Sequence, residues 1–354
     1  MSNITSIRAE KIKIPLSRPY EIAFKSFSEV SNIVVKVETS AGLLGLGVAS
    51  PEEEVTGESI IATEAALSEA NLDKLIGLDL EKAMEHLDFV EGLPAARVSV
   101  EMALLDALSR ERKKSLCDFL GGAKHKALPT SITIGIKSVD ETIEEATEYL
   151  ERGFTILKIK LGKDRAVDTE RIIKLREKLG HGFAILVDVN QGYDAAGFES
   201  FFNEVDKYGI EFYEQPIKVK DSLQIGSLDK KIRDKVALDE AVQSPEDARR
   251  FTSPTVTAGI INIKLMKAGG IRRAIEIAEI ADKSGVDLMW GCMDESRISI
   301  AAALHTAFSC KATRYLDLDG HLDLAKDIAE GGFVIQGGQM SLLGDRVGLG
   351  IDLI

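Results

Sequence analysis

Between residues 131 and 316, eight short apolar segments alternate with stretches of helical periodicity, and this rhythm leaves few folds open to the chain. The apolar segments are 131–136, 155–161, 184–189, 210–213, 236–238, 259–265, 287–291 and 314–316. Amphipathic stretches such as 141–152, 168–179 and 271–283 lie between them. Eight strands alternating with helices over ~190 residues predict a (β/α) barrel, placed at 126–324. An open doubly wound sheet is the competing fold, but the glycine-rich phosphate turn that would favour it is absent after the first strand.

The chain has 354 residues, enough for a second domain. Residues 4–15, 31–39 and 43–48 read as strands, with a β-branched run at Ile33-Val34-Val35 and turns supplied by Gly42, Gly45 and Gly47. From Glu58 to Arg112 the periodicity becomes helical, and Gly121-Gly122 ends the section. This predicts an α+β domain over 1–125. The formal net charge of -13 argues against nucleic acid as a partner, because phosphate binding needs a basic surface. No apolar run reaches the roughly 18 residues of a membrane span, and the charged, alternating start reads as a strand rather than a signal peptide. A cytoplasmic protein without a membrane partner is expected. Cys117, Cys292 and Cys310 are far apart and lack metal-ligand spacing, so buried reduced thiols are expected.

Barrel enzymes work at the C-terminal ends of their strands, so the polar residues that end each strand are the candidates. The second strand ends Lys158-Ile159-Lys160. Alternation puts both lysines on one face, roughly 7 Å apart. If that face is the interior, repulsion and desolvation lower both pKa values towards the range of a useful base. If it points outward, Ile159 turns in. The third, fourth and fifth strands end in Asp188, Glu214 and Asp239. Three uncompensated carboxylates at one rim imply a cation, and hard oxygen donors suit magnesium. The sixth strand carries Lys264, and strands two and six of an eight-strand barrel are opposed. Lys160 and Lys264 therefore face each other, as a stereochemical inversion requires. Lys267, on the following loop, is given a surface or loop role. The eighth strand ends Asp317-Leu318-Asp319, which either binds a cationic group or forms a turn. No histidine sits at a strand end with a carboxylate partner, and Ser296 lacks the context of a hydrolase nucleophile.

These motifs, with Ile263-Lys264-Leu265-Met266-Lys267-Ala268-Gly269-Gly270, resemble the enolase superfamily and its muconate lactonizing enzyme subgroup over essentially the whole chain. The resemblance implies a modified (β/α)7β barrel and a capping domain completed by about 325–354. Within the subgroup the chain is similar to dipeptide epimerases, including L-Ala-D/L-Glu epimerases. That likeness implies one magnesium per subunit on Asp188, Glu214 and Asp239, an acid/base pair of Lys160 and Lys264, and Lys158 against the substrate carboxylate. Asp317 and Asp319 then bind the free ammonium group of a dipeptide. A homo-oligomer is expected. A cycloisomerase or o-succinylbenzoate synthase shares the lysines and metal, but leaves Asp317 and Asp319 without a purpose.

The chain departs from the Ala-Glu pattern around the expected side-chain pocket. Lys25 stands where an arginine typically grips a glutamate side chain. Lysine lacks the bidentate fork. Glu52, Glu53 and Glu54 crowd an adjoining loop, and Asp294 occupies a usually apolar place. A preference for hydrophobic or cationic dipeptides is expected.

Overall fold

A computed structural model describes residues 2–21 and 26–354. Its N-terminal strands form an antiparallel meander in the order β1 (Ile4–Glu21), β2 (Ser26–Thr39) and β3 (Leu44–Ala49). β1 and β2 outrun the strands expected from the sequence because backbone pairing resumes beyond Pro15 after a register shift.

The meander packs on the helix Pro94–Glu111. A Cβ on Gly47 would lie 1.9 Å from the Ser99 carbonyl oxygen, and one on Gly45 2.1 Å from that of Ala103. Glycine is thus required for sheet and helix to approach. Apart from Arg97, the helix is buried from Ala95 to Ser109, as befits one held between two layers. Arg97 reaches the barrel by donating to the Gly269 carbonyl at 2.7 Å. Buried Asp106 accepts from the Leu46 and Leu349 N–H groups at 3.0 and 2.8 Å, tying the C-terminal segment to the N-terminal sheet.

The barrel strands are Ile132–Ile134, Ile156–Lys160, Ala184–Asp188, Ile210–Glu214, Val236–Leu238, Ile260–Lys264, Asp287–Gly291 and Thr313–Asp317. They run parallel, neighbours follow chain order, and a bridge between Thr130 and Leu316 joins first to last. That closure rules out the open sheet. The anticipated helices are Val139–Glu151, Arg165–Leu179 and Ile271–Ser284, the first begun by a Ser138–Glu141 capping box. No helix among the described residues is long and apolar enough to cross a membrane. Part of the tail, Phe333–Gln336 and Gln339–Leu342, pairs with Leu128–Pro129 at the barrel's entry. We propose the division into a capping unit, 1–125 with about 325–354, and a barrel, 126–324; this hairpin crosses it.

Strand parity decides what faces inward. Leu186, Phe212, Ala237, Ile260 and Met289 pack together as one cluster, with Ile156 and Tyr315 against it. One strand pitch above each stands Asp188, Glu214, Asp239, Asn262, Gly291, Lys158 and Asp317. The apolar layer therefore floors a polar one, and Lys158 and Lys160 point in while Ile159 packs outside the barrel.

Candidate active site

The polar layer opens into a cavity of about 560 Å³ between the barrel mouth and the loops of the N-terminal sheet. Register brings its first residues together: Lys160 is level with Asp188, and Asp188 with Glu214. On the far side Lys264 is level with Gly291, and Gly291 with Asp317.

Charges of opposite sign alternate across this layer. The Lys158 ammonium lies 2.7 Å from Asp317, 2.8 Å from Glu214 and 3.2 Å from Asp188. Lys160 donates to Asp188 at 2.6 Å and to the Asn190 side-chain oxygen at 3.0 Å. Lys264 sits 2.8 Å from Asp239. Asn262, two residues before Lys264 and so on the same face, donates to Glu214 at 2.6 Å. Asp317 also accepts from the Ser131 hydroxyl at 2.5 Å, and Asp319 from the Thr133 N–H at 2.7 Å. Both aspartates are buried.

This network sets the proton affinities. Burial pushes Glu214 up to about 8, with neighbouring Asp188 adding to it against the pull of Lys158. Burial raises Asp239 too, but Lys264 and Lys267 outweigh it and hold the carboxyl well below the ordinary range. The sequence suggested a depressed Lys158, and here the structure differs. Burial pulls Lys158 and Lys264 down, yet the carboxylates around them prevail and hold both above the usual lysine value. Strand spacing reveals lysine–lysine repulsion; it does not reveal how many carboxylates the other strands deliver to the same ammonium.

Lys267 corrects a second expectation. It is no surface lysine: it is buried, 2.5 Å from Asp239 Oδ1, and donates to the carbonyls of Asp239, Asn262 and Val242 at 2.5, 3.1 and 3.3 Å. The short turn Leu265–Ala268 bends the chain back over the rim and carries this side chain under it. Of the cysteines, Cys117 and Cys310 are buried as expected. Cys292 is half-buried in the cavity wall, where its thiol donates to the Asp317 carbonyl at 3.3 Å. Lys25 lies outside the described residues. Asp294 and Glu52 to Glu54 do line the cavity. Glu145, Tyr149 and Asp323 join them from a barrel helix and from the segment after the eighth strand, with no pattern in the sequence to announce them.

The rim has donors suited to a hard divalent cation. Among its buried oxygens, Glu214 Oε2, both Asp239 carboxylate oxygens and Glu240 Oε2 make no hydrogen bond, although Glu214 and Asp239 keep lysines within ion-pair range. The carboxylates are turned onto those lysines, and no three acidic, histidine or cysteine side chains among the described residues close into a ligand set. Oxygen donors with unspent acceptor capacity at adjacent strand ends fit magnesium or a similar ion.

Comparison with known proteins agrees with this architecture. The mandelate racemase / muconate lactonizing enzyme N-terminal domain matches residues 4–121, and the enolase C-terminal domain-like family matches 141–354. The L-Lys-D/L-Arg epimerase of Methylococcus capsulatus is 47% identical over 98% of each chain. The L-Ala-D/L-Glu epimerase of Clostridium acetobutylicum is 32% identical over 96% of each. A crystal structure of the dipeptide epimerase from Methylococcus capsulatus, complexed with Mg and the dipeptide L-Arg-D-Lys, superposes with a TM-score of 0.96 at 46% identity, covering 99% of both chains.

Proposed function

From the premise that the chain belongs to the mandelate racemase / muconate lactonizing enzyme family of the enolase superfamily, we propose that it is a dipeptide epimerase that favours cationic substrates. It is an isomerase, inverting the α-carbon of the dipeptide's C-terminal residue. The observation that carries the reading is one cavity with Lys160 and Lys264 on opposed strands and Asp317 and Asp319 at the edge between them.

The chemistry follows from that placement. Asp317 and Asp319 bind the free ammonium group and so orient the peptide. Lys158 lies beside the substrate carboxylate. One of Lys160 and Lys264, in its neutral form, takes the α-proton from one face. The electron pair left behind delocalises into the carboxylate as an enediolate. The ammonium of the other lysine returns a proton to the opposite face, inverting the centre. Asp188, Glu214 and Asp239 would hold the magnesium, which supplies positive charge where the carboxylate gains negative charge.

Cationic preference rests on the wall. Glu52, Glu53, Glu54, Asp294 and Asp323 give the cavity an acidic lining. The mutual repulsion of such groups eases when a substrate ammonium or guanidinium enters. The same reading takes the enzyme to be a cytoplasmic homo-oligomer, which light scattering on the purified protein tests for assembly.

A dipeptide library incubated in deuterated water, followed by mass gain and chiral analysis, tests the function. Exchange and inversion at the C-terminal residue are expected, with higher kcat/KM for L-Ala-L-Lys than for L-Ala-L-Glu. Absence of exchange across the library would refute the epimerase reading. A preference for L-Ala-L-Glu would leave the epimerase and overturn the cationic specificity.

A further inference from the structure

The loop after the seventh barrel strand carries Met293 and Asp294 into the cavity wall, yet its backbone is held from the N-terminal sheet. Asn32, on β2 and fully buried, donates its side-chain amide to the Asp294 carbonyl at 3.3 Å and to the Ser50 hydroxyl at 3.3 Å. Its side-chain oxygen accepts from the Ser296 N–H at 2.9 Å. Ser50, directly after β3, donates its hydroxyl to the same Asp294 carbonyl at 3.1 Å. On the barrel side, Glu295 accepts from the Met293 N–H at 2.7 Å and from the Ser299 hydroxyl at 2.6 Å. The peptide on either side of Asp294 is thus pinned by buried polar groups from both layers.

A second contact repeats the arrangement. Asp323 stands near Asp294 in the wall, and burial, followed by the charges of Asp319 and Asp294, raises its proton affinity. Its carbonyl too is gripped by the N-terminal sheet: Ser17 donates both its N–H and its hydroxyl to it, at 2.7 and 2.8 Å. Two acidic wall residues from different barrel loops each present the main-chain oxygen to the sheet and stand in the cavity wall.

We propose that Asn32 and Ser50 are positioning residues for substrate selection, acting through the backbone of Asp294 to set where its carboxylate meets a cationic substrate. The proposal rests on the cationic specificity argued above. Coulomb attraction in a partly desolvated cavity varies steeply with separation, so a carboxylate that drifts loses discrimination before it loses shape. The sheet then tunes specificity through the backbone of Asp294, with Ser50 at the edge of the cavity and Asn32 behind its lining. Among the described residues, the side-chain hydrogen bonds of Asn32 and Ser50 reach Asp294, Ser296 and each other, and the Ser50 N–H reaches the Met266 sulfur; none reaches Lys160, Lys264 or the three rim carboxylates, so proton transfer itself stays intact.

The test compares kcat/KM for L-Lys-L-Lys with that for L-norleucyl-L-norleucine, whose unbranched side chains carry no charge. Asn32→Leu, Ser50→Ala, Asp294→Asn and the Asn32→Leu/Asp294→Asn double variant are measured. Asp294→Asn and Asn32→Leu are each expected to lower the ratio by about tenfold, and Ser50→Ala by about threefold, as increases in KM for the charged peptide. In the double variant Asn32→Leu adds no further loss, because it acts through a carboxylate already removed. If Asn32→Leu does not fold, Ser50→Ala decides. Three results would overturn the proposal. If Asp294→Asn lowers the ratio while Asn32→Leu and Ser50→Ala stay within twofold of the parent, positioning is wrong and Asp294 remains a specificity residue. If the losses multiply in the double variant, Asn32 acts elsewhere. If Asp294→Asn itself leaves the ratio unchanged, the role given to Asp294 falls, and the positioning role with it.

Discussion

Lys267→Met removes a buried ammonium of unusual connectivity while keeping most of the side-chain volume. The parent lysine is 3% exposed and serves one carboxylate and three backbone carbonyls. Breaking a buried ion pair from one side costs about 3–5 kcal/mol, chiefly through the charge left behind. Here Asp239 keeps Lys264 at 2.8 Å, which pulls towards the low end, while the orphaned carbonyls pull towards the high end. An unfolding entropy of ~2.1 cal/mol/K per residue gives ~0.74 kcal/mol/K for 354 residues. The melting temperature should therefore fall by about 4–7 °C. Scanning calorimetry at pH 7 on parent and variant measures it. Lys267→Arg should not restore stability, since a planar fork cannot aim at a carboxylate and three separate carbonyls from an enclosed position. A Lys267→Met protein melting within about 1 °C of the parent would show that the ammonium is not structural, and the reasoning from burial and bonding would fail.

Gly47→Ala should cost about 1–3 kcal/mol or prevent folding, because its Cβ would lie 1.9 Å from the backbone oxygen of Ser99; a parent-like melting curve contradicts the close packing of sheet on helix. Lys160→Ala and Lys264→Ala should each lower net epimerisation by at least ~10²–10⁴, while proton NMR in deuterated water still shows exchange of the one stereoisomer that faces the remaining lysine. Equal exchange of both isomers by either variant contradicts the two-base reading. Burial pushes His305 down to about 4, and the neutral ring accepts from the Cys117 N–H at 3.1 Å. The unfolded chain, titrating near 6.5, binds the extra proton first, so this contribution to stability is full above about 6.5 and lost as pH falls towards about 4. His305→Gln should remove ~1.4 kcal/mol per pH unit from the acid slope of stability in that window; an unchanged slope sinks the assignment.

How much of this was legible beforehand depended on periodicity. Strands with a period of two reported themselves, and their ends supplied Asp188, Glu214, Asp239, Lys158 and Asp317 in one inward layer, with Lys160 and Lys264 one strand pitch above it. Asn262 could have been found the same way, since it shares parity with Lys264, but an amide gives no chemical alarm. Lys267 was misread because it belongs to a turn, where spacing does not encode direction. Its burial depends on how Leu265–Ala268 folds back, which is a tertiary outcome. Asp323 and Glu145 reach the wall from a loop and a helix, and their meeting with Asp294 is fixed only by closure of the ring. Asn32 is a single polar residue just before a β-branched run. Its importance lies in a carbonyl 262 positions away, which no local pattern encodes.

Lys158, Lys160, Lys264 and Lys267 differ in a way that charge alone conceals. Lys267 spends its donors on three main-chain carbonyls as well as on Asp239. Those oxygens belong to the barrel rim and cannot leave without moving the backbone. Among the described residues, the hydrogen-bond and ion-pair partners of Lys158, Lys160 and Lys264 are side chains alone: Asp317, Glu214, Asp188, Asn190 and Asp239. Side chains can exchange one partner for another at the cost of a rotamer change, whereas a backbone-anchored ammonium can only break its bonds. A lysine that must release a proton, rotate towards a substrate and reset therefore needs side-chain partners, and one that must keep a carboxylate in place needs carbonyls. That criterion agrees with the acid/base roles proposed for Lys160 and Lys264 on opposite sides of the cavity, and it holds for Lys158 as well. Lys267, though it touches the same Asp239 as Lys264, is built to hold still.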